Sequence, residues 1–324
     1  NIAIGHKSMT AYTNDGAIKN TVIGFETMST GVDHAATDNT ALGFRALKGN
    51  TAGDNNVAIG SNAALVSTGD HNVVVGSNAY GSSTGGHHVI AIGSGALATA
   101  NENDNDGTVA IGRQACAAQA GTGGAQYASA TVGIGYQALT ALTTGVGNIA
   151  IGHTAMASQT SGNYSTAVGY QALNQLNKSG TVGNTALGWK AGYGQTTAGY
   201  ENVYVGYSAG IAHTGEESVI IGSSCGASAT SQAGLVLIGK SAGQDINDDA
   251  ADGTVAIGHS AGANITTGAG NTAIGYKAGL EAQTGDNNVL IGYEVANNTG
   301  TGSLGSSNIY IGYQCAGVGA HEGA

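Results

Sequence analysis

The sequence has no proline and only three cysteines in 324 residues, and its aromatic and charged residues amount to 5% and 9%. Without proline, a collagen triple helix is excluded, although 57 residues are glycine. Cys116, Cys225 and Cys315 are odd in number and widely spaced, which fits neither a disulfide framework nor zinc-ligand spacing. An ordinary globular enzyme carries roughly 25% charged residues, so the scarcity of charge and of large rings argues against that class. Nine Lys and Arg against twenty Asp and Glu leave a net charge of -11. That balance lacks the clustered basic residues needed to grip a nucleic-acid backbone. No apolar run approaches the roughly eighteen residues of a membrane span, so no membrane insertion is expected. Disorder is excluded in turn, because Val and Ile recur at fixed spacing along the whole chain.

What is present is one short unit, repeated. It reads Asn/Thr/Ser, β-branched, small, Ile/Leu/Val, Gly. The first copy is Asn1-Ile2-Ala3-Ile4-Gly5 and the last is Asn308-Ile309-Tyr310-Ile311-Gly312, with eighteen copies in all, spaced 16 to 23 residues apart. The residue before each motif Gly is Ile, Leu or Val in all eighteen copies, and the residue three before it is Val, Ile or Thr in all eighteen. Residues two apart share one face of a strand. These two β-branched rows, with Ile151, Ile221, Ile257 and the threonines Thr21, Thr40, Thr166, Thr185 and Thr272 among them, are therefore expected to point inward. The residue between them is Ala in ten copies, and this row is expected to form a second, tightly packed face against partner chains.

A strand too short to bury its own face, followed by a turn and repeated about every eighteen residues, predicts an all-β parallel β-solenoid, or β-roll, of about 18 coils. No helical apolar period survives the frequent glycines. The repeat runs unbroken, so residues 1-324 read as a single repeat domain, and because it begins inside a motif it is expected to belong to a longer chain. Eleven coils open with Asn, whose stacked amides can hydrogen-bond along the column or cap the preceding turn. The fourth residue after the motif Gly is mostly large or medium early on, as at Met28, Leu47 and Leu173, and becomes Gly from Gly192 to Gly279, predicting a change of coil cross-section near 180-192. The longest coil, between Gly112 and Gly135, is expected to bulge over Ala117 to Ala130. A thin glycine-rich coil gains by burying a face against others, which predicts oligomerisation.

Strings such as Asn271-Thr272-Ala273-Ile274-Gly275-Tyr276-Lys277-Ala278-Gly279 and Asn56-Val57-Ala58-Ile59-Gly60-Ser61-Asn62-Ala63 resemble the head repeats of trimeric autotransporter adhesins. They are similar also to the N-T-A-I-G-Y-x-A-L repeats of phage tail-fibre proteins. The resemblance spans all eighteen coils. It implies a left-handed parallel β-roll, a homotrimer of side-by-side chains, and an extracellular place on a virion tail fibre or a cell surface. The coils here are longer than the usual adhesin head coil, which favours the tail-fibre form.

The chemical motifs are sparse. Gly222-Ser223-Ser224-Cys225-Gly226 matches a nucleophile elbow in letters only, because it sits in register with every other coil and no helix follows. Cys225 and Cys315 occupy a slot usually held by Ala and read as small packed residues. Glu102, Asp104 and Asp106 alternate before Gly107 like half of a calcium loop, without the later bidentate Glu. A related cluster, Asp245, Asn247, Asp248, Asp249 and Asp252, precedes Gly253. Calcium is thus the only cofactor considered, against the reading of solvated loop acids. His6, His153 and His259 share the slot after the motif Gly, which elsewhere holds Phe25, Phe44, Tyr136, Tyr170, Trp189, Tyr207, Tyr276, Tyr293 and Tyr313. This stripe of rings is expected either to cover a seam between chains or to meet a cell-surface glycan or protein receptor. The expected function is non-enzymatic: a structural or adhesive fibre segment for host or surface attachment. The alternatives are a direct glycan- or ice-binding solenoid and a polysaccharide depolymerase, the last needing a carboxylate pair in one groove.

Overall fold

The structure, a computed structural model, describes residues 1–10, 16–30, 36–82, 84–100, 105–119, 130–196, 199–247, 251–297 and 304–315. The chain divides into two compact units, Asn1–Ser165 and Thr166–Ala324. Each is an all-β parallel solenoid in which every motif supplies one three-residue strand. The first unit runs from Ile2–Ile4 to Ile149–Ile151, and the second from Thr166–Val168 to Ile309–Ile311. Motifs stack without slippage: Ile2, Ala3 and Ile4 oppose Thr21, Val22 and Ile23, and Val219, Ile220 and Ile221 oppose Val236, Leu237 and Ile238.

The strands stop after three residues because of the motif Gly. Its φ lies between 130° and 144° throughout, a region that side-chain-bearing residues rarely adopt. A Cβ there would also strike the next coil: built on Gly60 or Gly206, it would sit 2.7 Å from the carbonyl oxygen of Gly76 or Gly222. The corners that follow are left-handed at the second and fourth residues after Gly, for example Glu26 and Met28 at φ 50° and 47°. Non-glycine residues seldom hold this conformation, and here the stacked coil imposes it repeatedly through hydrogen bonds such as Glu26 N–H to His6 O at 3.0 Å and Met28 N–H to Ala46 O at 3.0 Å.

The strand faces are the reverse of the expectation. The middle residue of the motif points into the coil: Val22, Ala58, Ala150, Ile220, Leu237 and Ala273 are all fully buried. The β-branched rows on either side of it face outward. Ile151, expected inside, is 36% exposed, and Ile221 and Ile257 are half-exposed. Thr40 and Thr185 are exposed and Thr21, Thr166 and Thr272 half-exposed. The physical reason is the width of the coil. A closed loop of about eighteen residues leaves a narrow interior, so Ala is small because it faces inward across a short gap, not because a partner approaches it from outside.

Inside, large side chains trade places between slots. In the first unit the fourth residue after Gly fills the interior, as Leu47, Leu97, Leu139 and Met156 do, while the strand centre is mostly Ala or Gly. In the second unit the fourth residue turns to Gly and the strand centre grows to Tyr204, Ile220, Leu237 and Leu290. The exchange is steric: a Cβ on Gly210 would meet Tyr204 Cδ1 at 2.5 Å, and one on Gly279 would meet Leu290 Cδ1 at 2.6 Å. Where the strand centre remains Ala256, Ile265 reaches toward Gly262 instead. This relocation of bulk begins at Gly192. Between these two facing slots, close packing leaves room for the bulk of one but not of both.

The Asn column does both things that its position allows. Asn39 Oδ1 accepts the Asn56 N–H at 2.9 Å, while Asn39 Nδ2 donates to Gly53 O in the return loop, also at 2.9 Å. Asn56 and Asn72 repeat the pattern one coil on, and Asn202 and Asn288 repeat it in the second unit. These buried amides satisfy backbone groups that the short strands leave behind. Of the long coil expected to bulge, residues 120–129 lie outside the described residues.

Candidate interaction surfaces

Two columns of outward side chains run along the strand face. One is Val, Ile or Thr; the other is wholly Ile, Val or Leu. Leu42, Ile59, Val73 and Ile149 are 36–44% exposed, and Leu187 reaches 50%. In each unit these columns form a partly exposed, largely apolar strip, and contiguous exposed apolar strips mark interaction surfaces.

The residues after the motif Gly form ladders of stacked rings. In the first unit His6, Phe25 and Phe44 stack at centroid distances of 5.1 and 5.7 Å, and Tyr136 stacks on His153 at 5.0 Å. In the second unit Tyr170, Trp189 and Tyr207 stack at 6.4 and 4.5 Å, and His259, Tyr276, Tyr293 and Tyr313 at 5.5, 5.1 and 5.3 Å. The structure thus brings every expected ring of the stripe into such a stack, and it adds the three histidines, which the sequence placed in the same slot without assigning them this role. Interplanar angles of 7–30° mean that faces meet faces. A sugar ring stacks on an aromatic face, and within a ladder those faces are already covered by neighbours. What remains outward is ring edges, with Arg45, Arg113, Lys190 and Lys277 set over rings at 4.7–5.6 Å. This geometry favours the stripe as a structural seam.

The loop acids act as clips between coils. Asp54 Oδ1 accepts the Thr37 N–H at 2.6 Å, Asp70 Oδ1 the Asp54 N–H at 2.8 Å, and Asp106 Oδ1 the His87 N–H at 2.7 Å. Asp252 and Asp286 do the same for Ala233 and Ala269 at 2.9 and 3.0 Å. Of the calcium candidates, Glu102 and Asp104 lie outside the described residues, as do Asp248 and Asp249. Among the described residues, no group of three or more His, Cys, Asp or Glu is placed to hold a metal ion.

Ser224 of the elbow-like string adopts the left-handed corner at φ 53°, as Ser241 and Ser260 do at 55°. Its neighbour Cys225 is buried in the coil, and burial pushes the thiol up to about 12. Cys116 is likewise buried and likewise pushed up to about 12, whereas Cys315 is only half-buried. Thiols held neutral are unreactive packing groups.

One polar cluster lies inside the second unit. Tyr204 Oη is 2.7 Å from His213 Nδ1, His213 Nε2 is 2.9 Å from Gln232 O, and Gln195 Nε2 donates to Tyr204 Oη. Because a carbonyl accepts only, Nε2 carries the proton and Nδ1 accepts from the Tyr204 hydroxyl. Burial lowers the His213 imidazole to about 4, with the Gln232 carbonyl opposing the shift. Nothing in the motif marks this cluster, since it depends on which coil-interior slots face each other.

No helix of the described residues is long and apolar enough to cross a membrane. No family model matches the chain, and no curated protein matches it. The resemblance to adhesin and tail-fibre repeats therefore rests on the motif, and the structure supports it at the level of the large parallel solenoid.

Proposed function

We propose that the chain is a non-enzymatic structural or adhesive segment of a homotrimeric extracellular fibre, of the tail-fibre or surface-adhesin kind, serving host or surface attachment. The observation that carries this reading is the outward aliphatic face. A contiguous, partly exposed aliphatic strip of this kind suits a protein–protein contact. In-register columns of aliphatic side chains are matched best by another copy of themselves. The contact face is thus the Val/Ile rows, in place of the Ala row expected from the sequence. The test is sedimentation of the chain at micromolar concentration: a trimer is expected, and a monomer overturns the reading.

A second reading draws on the five threonines now placed on the same face. A flat, periodic face of Thr and aliphatic groups suits a repetitive target such as ice or a surface glycan. Thirty-one of the thirty-six outward positions are aliphatic, which favours association. A monomer that slows ice recrystallisation, or that binds glycans through this face, would reverse the order of the two readings. Release of reducing sugar from a polysaccharide would replace both with an enzyme.

A further inference from the structure

Three of the nine Lys and Arg residues, in a chain of net charge -11, converge on one carboxylate. Glu26 Oε2 accepts from Arg45 Nε at 2.9 Å and from Lys48 Nζ at 2.8 Å, and Lys7 Nζ lies 3.9 Å from Oε1. The Lys48 ammonium, and after it the Arg45 guanidinium, hold the Glu26 carboxyl below its usual range against the opposing effect of burial. Three cations around one anion leave a local excess of two positive charges. Beside them opens a cleft of about 280 Å³, lined by Thr30, Arg45, Lys48, Gly49, Leu65 and Val66.

The cleft follows from the repeat. The sixth position after the motif Gly is Thr30, Gly49 and Val66 in three consecutive coils. Gly49 adds no side chain to that column, because the next coil lies against it: a Cβ there would sit 3.0 Å from Leu65 O and Val66 Cα, and the cleft opens beside this close contact. One wall therefore carries two cations and a hydroxyl, and the other carries Leu65 and Val66. Arg45 is further held by Phe44, its guanidinium carbon 4.7 Å from the ring centroid. Glu26 occupies only Nε of Arg45, and Thr30 Oγ1 donates to Lys48 O at 2.6 Å, leaving that oxygen able to accept.

We propose that this cleft binds an acidic saccharide residue. The sugar carboxylate sits on Arg45 and Lys48, where charge-assisted hydrogen bonds are strongest. The C–H face of the ring lies on Leu65 and Val66, and a ring hydroxyl donates to Thr30. Neutral sugars lack the first contact, and simple inorganic anions lack the second. The site is built from the second, fifth and sixth residues beyond the motif Gly, apart from the outward strand columns, so it does not depend on association of chains.

The test is saturation-transfer NMR and calorimetry on the full chain with glucuronic acid, glucose and inorganic sulfate. Glucuronic acid is expected to bind saturably and at least tenfold more tightly than either glucose or sulfate. Arg45→Gln with Lys48→Gln should weaken it at least tenfold. Val66→Trp, which fills the cleft and keeps both cations, should do the same while circular dichroism stays unchanged. Sulfate binding as well as glucuronic acid, glucuronic acid binding unaffected by Val66→Trp, or no saturable binding would each overturn the proposal.

Discussion

Ile220 and Ile221 are adjacent in one strand and chemically identical, yet they belong to opposite sides of the coil. Ile220 is fully buried between Tyr204 and Leu237 in the stacked register, whereas Ile221 is half-exposed between Val205 and Ile238. Replacing Ile220 by Asp forfeits about 2–3 kcal/mol of apolar burial. It also places a carboxyl among hydrocarbon with no partner, adding roughly 2–4 kcal/mol. The sum, about 4–7 kcal/mol, falls in the range reserved for a disrupted core. Ile221→Asp leaves its carboxylate in water and should cost the isolated chain no more than about 1 kcal/mol. Because each coil contacts only its neighbours, the damage from Ile220→Asp should centre on residues 203–239 and decline on both sides. Amide hydrogen exchange resolves this, run at dilutions where both variants sediment as monomers. Ile220→Asp should lose protection across those coils, and Ile221→Asp should keep it while losing the capacity to associate at higher concentration. Equal loss of protection in the two variants, or greater loss in Ile221→Asp, would refute the assignment of inside and outside.

Three other outcomes follow from the same structure. His213 has its folded value lowered to about 4 from an ordinary 6.5, so the unfolded chain takes up the proton first as pH falls. Its contribution is complete above about pH 6.5 and is lost between there and about pH 4, amounting to roughly 3 kcal/mol. Denaturant melts across that window should fall more steeply in the native chain than in His213→Leu; parallel curves would contradict the neutral buried imidazole. Gly206→Ala places a methyl against the Gly222 carbonyl at a φ of 133° and should lower stability by at least ~3 kcal/mol in thermal denaturation, whereas Lys277→Ala, at a half-exposed corner where it loses only a ring contact, should change it by less than ~1 kcal/mol. Asn56→Ala strands the Asn72 N–H and the Gly69 carbonyl, and should cost about 2–4 kcal/mol for two orphaned buried groups; a loss below ~1 kcal/mol would mean that water reaches the column.

The repeat itself was legible without coordinates. Eighteen motifs ending in Gly, each with a Val, Ile or Thr two residues before a Val, Ile or Leu, determine short parallel strands in register, because only Gly accepts both the φ and the backbone contact found at Gly60 and Gly206. The Asn column was legible for the same reason: a small amide at one register position has the same neighbours in every coil. Alternation along a strand, however, states only that Ala58 and Ile59 lie on opposite faces, and it carries no sign. Which face is inside depends on the width of the closed coil, and that is set by the left-handed corners at positions such as Glu26 and Met28, which no residue-type preference announces. The same limit applies to the site. The cations at Lys7, Arg45 and Lys48 are scattered in the sequence, and they meet Glu26 only because stacking places residues about one coil apart side by side. Local periodicity thus determined the coil, while closure and stacking decided what it encloses and what it presents.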